Sequence, residues 1–150
     1  PFSKGLPRAA LLWGTIAPDL IDKPLYYSVR LIWGAERTAQ MWISGTRTLG
    51  HTAVFTLCIA VAAVARKQAT LAALALGMAT HLLLDNVFYP TPQALLWPAL
   101  GTAFPVFPHA SAGDHLKQYV SPISVALEIL GVVFLVREFS KARASRKASF

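Results

Sequence analysis

Residues 69–89 read Ala69-Thr-Leu-Ala-Ala-Leu-Ala-Leu-Gly-Met-Ala-Thr-His-Leu-Leu-Leu-Asp-Asn-Val-Phe-Tyr89, and this run decides the fold class. It is apolar along almost its whole length, and Asp85 carries its only formal charge. As a helix rising about 1.5 Å per residue it would be about 31 Å long. A bilayer-spanning helix needs about 20 apolar residues, so the run predicts a helix that crosses a membrane.

The same run contains a candidate site. His81 and Asp85 are four residues apart and therefore lie on one face of a helix, where the imidazole and the carboxylate can converge on one point. A carboxylate in such apolar surroundings costs free energy unless a cation, a hydrogen-bond network or a metal compensates it. The spacing leaves two alternatives open: a metal site, or a hydrogen-bonded pair that joins two helices without metal.

The composition of the 150 residues favours a membrane protein. Hydrophobic residues make up 55% and charged residues 14%, against about 25% charged residues in typical soluble domains. The net charge of +7 does not indicate nucleic acid, because the basic residues lie at the ends of apolar segments and in the tail 137–147. Cys58 is the single cysteine, which excludes an internal disulfide framework. We expect one helical membrane domain over residues 1–150, and the lack of an initial methionine favours a fragment or upstream processing.

Four spans and one surface helix are predicted along the chain. The spans are Leu6–Leu20, Thr48–Ala65, Ala69–Tyr89 and Tyr119–Val136, and the amphipathic surface helix is Pro24–Ile43. Pro18 and Pro24 are expected to end the first helix and to place Asp19 and Asp22 in a turn or broken helix. Five prolines between residues 90 and 117 predict a loop. The predicted fold is all-α, with about four transmembrane helices and one interfacial helix.

The orientation of these spans gathers the polar residues at one membrane depth. Lysine and arginine that flank membrane spans stay on the cytoplasmic side. The basic clusters are Lys4 with Arg8, Arg66 with Lys67, and the tail residues Arg137, Lys141, Arg143, Arg146 and Lys147. The opposite, outer ends then carry Asp19, Asp22, His51 and Asp85, with His81 one turn deeper. Residues far apart in sequence are therefore expected to form a single site.

Four motifs in this order resemble a known family. They are Pro18-Asp-Leu-Ile-Asp22, Arg47-Thr-Leu-Gly-His-Thr52, Gly77-Met-Ala-Thr-His-Leu-Leu-Leu-Asp85 and Leu95-Leu-Trp-Pro98. Together they are similar to the membrane-bound metal-dependent hydrolases predicted in bacteria, over roughly residues 6–100. The resemblance implies a multi-span inner-membrane protein that binds a divalent metal through aspartate and histidine. The implied metal ligands are Asp19, Asp22, His51, His81 and Asp85, and Asp85 and Arg47 are the residues expected to take part in catalysis.

The sequence also departs from the family pattern. The family has a histidine where Thr46 stands here and another where Lys23 stands. An extra residue separates the two aspartates of the first motif, and the early histidine of the first helix is absent.

Mixed imidazole and carboxylate donors suit Zn²⁺ or Mn²⁺. Metal-bound water would supply hydroxide for attack on an ester or phosphoester. Arg47 could clamp a phosphate oxygen through its planar guanidinium. At this membrane depth a lipid head group is the nearest substrate, and neither nucleic acid nor a particular protein partner is indicated.

Two rival interpretations remain open at this stage. In one the same residues form structural hydrogen bonds in a non-enzymatic membrane scaffold, with Asp19 and Asp22 serving as turn and capping residues. In the other the chain is a soluble helical domain of zinc-phospholipase type. Glu128 lies in the middle of the last predicted span. Three roles stay open for it: a further metal ligand, a partner of Arg47 or of a histidine, or a residue that faces solvent. His109, Asp114 and His115 are expected to be solvated, and no G-x-S-x-G motif supports a serine nucleophile.

Overall fold

The computed structural model describes residues 5–88 and 90–106, together with Ile129, Val133 and Arg137. Within this part the chain is helical and contains no strand, which confirms the all-α class. The helices are α1 (Arg8–Trp33), α2 (Ala35–Ala39), α3 (Ala53–Ala65), α4 (Ala69–Phe88) and α5 (Pro92–Leu95), with a 3₁₀ turn at Leu49–His51.

Helix α1 does not end at its prolines, so the predicted turn or broken helix around Asp19 and Asp22 is wrong. It runs for 26 residues with Pro18 and Pro24 inside it. Each proline removes one backbone hydrogen bond, but burial of one face offsets this loss. The buried residues recur at every fourth position, namely Gly14, Pro18, Asp22 and Tyr26, and such residues form one continuous stripe along a helix. The stripe packs against α4 and the 3₁₀ turn.

The predicted amphipathic helix Pro24–Ile43 is divided in the structure. Its first part belongs to α1, which ends at Trp33 and is followed by Gly34, where φ is +79°. Positive φ is accessible to glycine without a steric penalty, so the chain can change direction there. Its second part is the short α2, and the guanidinium of Arg37 lies 4.4 Å from the centre of the Trp33 ring.

The second and third predicted spans correspond to α3 and α4. Helix α3 begins at Ala53 rather than at the predicted Thr48, because residues 49–51 form the 3₁₀ turn and Thr52 caps the helix by accepting a hydrogen bond from the Phe55 N–H at 3.1 Å. Helix α4 covers Ala69–Phe88 and so matches the predicted run to within its last residue, Tyr89, which lies outside the described part.

Helices α1 and α4 approach each other closely where two glycines face each other. A Cβ on Gly77 would meet the Leu11 carbonyl oxygen and would lie 2.8 Å from the Gly14 Cα and 2.8 Å from the Thr15 nitrogen. Any side chain at this position would therefore collide with backbone that cannot move aside. Beyond this crossing both helices continue to the 3₁₀ turn, which sets the residues of α1 beside those of α4.

One described helix, α4, is long and apolar enough to cross a bilayer, and α3, at 13 residues, is shorter. This finding by itself does not support a protein with several spans. The chain divides into two compact units, residues 1–108 and 109–150, and α1–α5 belong to the first. The predicted span Tyr119–Val136, with Glu128, and the loop residues His109, Asp114 and His115 lie outside the described residues except at Ile129 and Val133. The single domain expected over residues 1–150 stays a prediction.

Candidate metal centre

The carboxylate of Asp22 holds the 3₁₀ turn against α1. Its Oδ2 accepts hydrogen bonds from the backbone N–H groups of Thr48 at 2.7 Å and His51 at 3.2 Å, and its Oδ1 accepts one from Gly50 at 3.0 Å. A Cβ on Gly50 would lie 2.9 Å from the Pro18 carbonyl oxygen, so glycine permits this close approach. Asp22 is fully buried, and the turn supplies the donors that its charge requires.

The same carboxylate orients His51. The His51 Nδ1 lies 2.8 Å from Asp22 Oδ2, and because that carboxylate already accepts backbone hydrogen bonds, Nδ1 is the donor. The other ring nitrogen, Nε2, then faces Asp19 Oδ1 at 3.5 Å and Asp85 Oδ2 at 3.5 Å. A carboxylate that fixes the far nitrogen of a histidine is typical of the residues that support metal ligands.

His81 is oriented in the same way by a backbone group of α1. Its Nδ1 lies 2.7 Å from the Thr15 carbonyl oxygen, which can only accept a hydrogen bond, so Nδ1 donates here too. The His81 Nε2 lies 3.4 Å from the His51 Nε2 and 3.7 Å from Asp85 Oδ2. The close crossing of α1 and α4 is what brings the Thr15 carbonyl within reach of His81.

Each of the two remaining aspartates pairs with one cation. Asp19 Oδ2 lies 2.6 Å from Lys23 Nζ, one turn further along α1. Asp85 Oδ2 lies 3.0 Å from an Arg47 terminal nitrogen, and a second Arg47 nitrogen donates to Thr91 Oγ1 at 3.1 Å. Arg47 is therefore engaged with two side chains of the protein.

These contacts shift the protonation equilibria of the buried pair Asp22 and His51. Burial alone would lower the pKa of His51, but its hydrogen bonds with Asp19 and Asp22 outweigh burial and raise that pKa above its ordinary value of 6.5. Burial alone would raise the pKa of Asp22. The hydrogen bonds from His51, Gly50 and Thr48 outweigh it and lower that pKa below its ordinary value of 3.8.

The structure brings all the predicted site residues into one cluster, although they come from α1, the 3₁₀ turn and α4. Asp19 Oδ1 and the two histidine Nε2 atoms lie within 4.8 Å of one another and could hold a metal ion. Asp85 faces both histidines from α4. Asp22 differs from the ligand role predicted for it, because both its oxygens are taken by the 3₁₀ turn and it contacts the centre through His51.

Two contributors were not singled out from the sequence as site residues. The four-residue spacing of Lys23 from Asp19 was a readable signal for an ion pair on one helix face. The Thr15 carbonyl gave no such signal, because a backbone acceptor is the same at every position of the chain.

In the residues that the structure describes, fold and site together define an all-helical protein with a partly buried histidine and aspartate cluster that could bind a metal ion. Comparison with protein-family models, with curated proteins and with solved structures gives no match. The resemblance to the membrane-bound hydrolases therefore rests on the four sequence motifs and stays a prediction.

Proposed function

We propose that this protein is a membrane-embedded, metal-dependent hydrolase of the family that its motifs resemble, with zinc as its metal. The observation that carries the proposal is a set of hydrogen-bond acceptors pointed at one another. Because both Nδ1 atoms donate, to Asp22 and to the Thr15 carbonyl, the neutral rings of His51 and His81 present unprotonated Nε2 atoms 3.4 Å apart. Carboxylate oxygens of Asp19 and Asp85 lie beside them. Four acceptors in this arrangement favour a cation between them.

The distances between these atoms favour a metal over shared protons. They are 3.4 Å between the two Nε2 atoms, 3.5 Å from His51 to each aspartate, and 3.7 Å from His81 to Asp85. Hydrogen bonds between such atoms would measure about 2.7–3.2 Å. Ligand atoms bound at about 2.0–2.1 Å to a tetrahedral zinc ion lie about 3.4 Å apart. These pairs agree with the tetrahedral case, and the ligand atoms of Asp19, His51 and His81, which lie within 4.8 Å of one another, would draw together around the ion. The two imidazole donors favour Zn²⁺ over Mn²⁺, which prefers octahedral oxygen-rich sites.

The chain's own residues would then divide the work. His51, His81 and Asp19 would hold the ion, which when bound would supply a water of lowered pKa for attack on an ester or phosphoester. Asp22 and the Thr15 carbonyl keep the two imidazoles in the tautomer that binds metal. Asp85, held by Arg47, serves as a fourth ligand or accepts the proton of the attacking water.

The surface of the helices supports a membrane location. Only 28% of the apolar window of α4 is buried within the protein, whereas a core helix of a soluble domain would be mostly buried. On α3 the exposed side chains follow a helical stripe of large apolar residues: Val54, Leu57, Val61 and Val64. Outward-facing apolar stripes of this kind suit lipid as the surrounding solvent. Aromatic rings of Trp42, Trp97 and Phe104 cluster close to the segments that carry Arg47 and Thr91, as expected at a membrane interface.

Orientation follows from the basic residues at the other end of α4. Arg66 and Lys67 precede α4, whereas His81 and Asp85 lie near its end. With the basic turn on the cytoplasmic side, the centre lies toward the outer face of the bacterial inner membrane. Membrane lipid is then the nearest source of substrate. The several spans expected from the sequence belong to this proposal.

A non-enzymatic scaffold is the second candidate, and the charges of the cluster favour it. Three carboxylates face two cations, and one imidazolium would neutralise the remaining negative charge. The raised pKa of His51 agrees with such an imidazolium. In this alternative the cluster joins α1, the 3₁₀ turn and α4 without metal.

Elemental analysis separates the two candidates. Wild-type protein purified in detergent and dialysed against zinc should retain about one equivalent of zinc, and His81→Ala and Asp85→Asn should each bind it more weakly. Thr80→Ala is the matched control, because Thr80 is an exposed residue of α4 and its hydroxyl donates to the carbonyl of Gly77 in its own helix. Equal and negligible zinc in wild type and His81→Ala would establish the scaffold and end the hydrolase proposal.

A further inference from the structure

Access to the centre is uneven, and its exposed edge is formed by α1. The side chains of Lys23 and Asp19 are 36% and 33% exposed, whereas the Arg47 side chain is 6% exposed. Asp22 and His51 are buried. The Asp85 and His81 side chains are 23% and 14% exposed, so Lys23 and Asp19 are the most exposed side chains of the cluster.

The two cations of the cluster differ in how deeply they are buried and in the contacts that they make. Arg47 is buried and donates to Asp85 and Thr91, so turning it toward a substrate would break two contacts and leave Asp85 without its cation. Lys23 makes a partly exposed ion pair with Asp19 on its own helix. A lysine ammonium group carries three N–H donors, so Lys23 can contact an incoming oxygen while it keeps its bond to Asp19.

One carboxylate connects Lys23 with the centre. Asp19 Oδ2 lies 2.6 Å from Lys23 Nζ, and Asp19 Oδ1 lies 3.5 Å from His51 Nε2. The ammonium group is thus separated from the proposed metal position by a single carboxylate. A ligand that presents two oxygens could contact the centre with one and Lys23 with the other.

We infer that Lys23 is the anion-binding residue of this site and that the substrate is a phosphate ester, with a non-bridging phosphate oxygen bound by the Lys23 ammonium. The inference rests on the proposed function for the reaction, and it assigns to Lys23 the contact that the sequence suggested for Arg47. A lysine is a mobile point charge that suits a phosphate group arriving from solvent or from the membrane surface. The role of Arg47 is then to position Asp85.

Binding of inorganic phosphate to the zinc-treated protein in detergent tests the inference by calorimetry. Lys23→Met should weaken phosphate binding about tenfold, and Lys23→Arg should retain affinity within about threefold, because a cation at that position suffices. Arg66→Met is the matched control: it removes the same charge from an exposed position before α4 and should leave phosphate affinity unchanged. Phosphate affinity of Lys23→Met equal to that of Arg66→Met would overturn the inference.

Zinc content measured on the same samples separates this inference from the proposed function. Wild type without zinc refutes the metal proposal, whereas the difference between Lys23→Met and Arg66→Met decides the role of Lys23 in either case. The source of the phosphate group is decided in nanodiscs. Phosphatidic acid should weaken the apparent binding of inorganic phosphate to wild type, but not to Lys23→Met, if a lipid head group occupies Lys23. If wild type binds inorganic phosphate equally well in phosphatidylcholine discs and in phosphatidic acid discs, the substrate is a soluble phosphate ester instead.

Discussion

Asp22→Asn is the substitution that most directly tests how the site is built, because it removes a charge and preserves the shape of the side chain. Asp22 accepts four hydrogen bonds, three from backbone N–H groups of the 3₁₀ turn and one from His51 Nδ1. An amide has one acceptor oxygen, so one donor loses its partner and the other bonds lose their charge assistance.

The expected loss of stability follows from these four bonds. A hydrogen bond to a charged group contributes about 1.5–3 kcal/mol and a neutral one about 0.5–1.5 kcal/mol, while an unsatisfied buried donor costs about 1–3 kcal/mol. Three weakened bonds and one unsatisfied N–H, offset in part by the removal of a buried charge, give a loss of about 3–5 kcal/mol. For a chain of this size that loss lowers Tm by roughly 10 °C.

Thermal unfolding followed by tryptophan fluorescence in detergent measures this loss, with a chelator present so that metal does not contribute. Glu36→Gln is the control, because Glu36 is exposed on α2 and lies outside the cluster; its Tm should fall by no more than about 2–3 °C. With zinc added, Asp22→Asn should also bind the metal about 10–100 times more weakly through the loss of His51 orientation. A Tm for Asp22→Asn within 2–3 °C of wild type in chelator would refute the proposal that Asp22 organises the turn.

Two further predictions concern His51 and the helix crossing. A histidine whose pKa is raised by folding stabilises the protein fully below its unfolded pKa of 6.5, and this contribution is lost as the pH rises through the folded value. In chelator, Tm should therefore fall above pH 6.5 in wild type and less so in His51→Gln, and a flat profile in wild type would contradict the pairing. Gly77→Ala places a Cβ against the backbone of α1 and should destabilise the protein by about 1–3 kcal/mol and weaken zinc binding. Gly5→Ala, whose Cβ would meet nothing within 4 Å, is its control in thermal unfolding, and equal Tm values for the two would argue against the close crossing.

The helical elements were predictable to the extent that a single local pattern specifies them. The run from Ala69 has no internal proline and no formal charge before Asp85, and α4 follows it almost residue for residue. Helix α1 was mispredicted because the local effect of Pro18 and Pro24 was weighed without the buried stripe to which Pro18 belongs. Tertiary packing outweighs the loss of two backbone hydrogen bonds. This stabilising contribution cannot be read from a short stretch of sequence, because it depends on contacts with other helices.

The sequence by itself determined which chemical groups are available and on which elements they stand: the pair His81 and Asp85 on one helix face, His51 before α3, and the aspartates of the first motif. Only the tertiary structure decided how each group is used. The close approach of Gly14 and Gly77 places a Thr15 carbonyl on His81, and the turn that follows Arg47 saturates Asp22. Those contacts depend on distances between segments 26 to 66 residues apart, which local composition cannot encode.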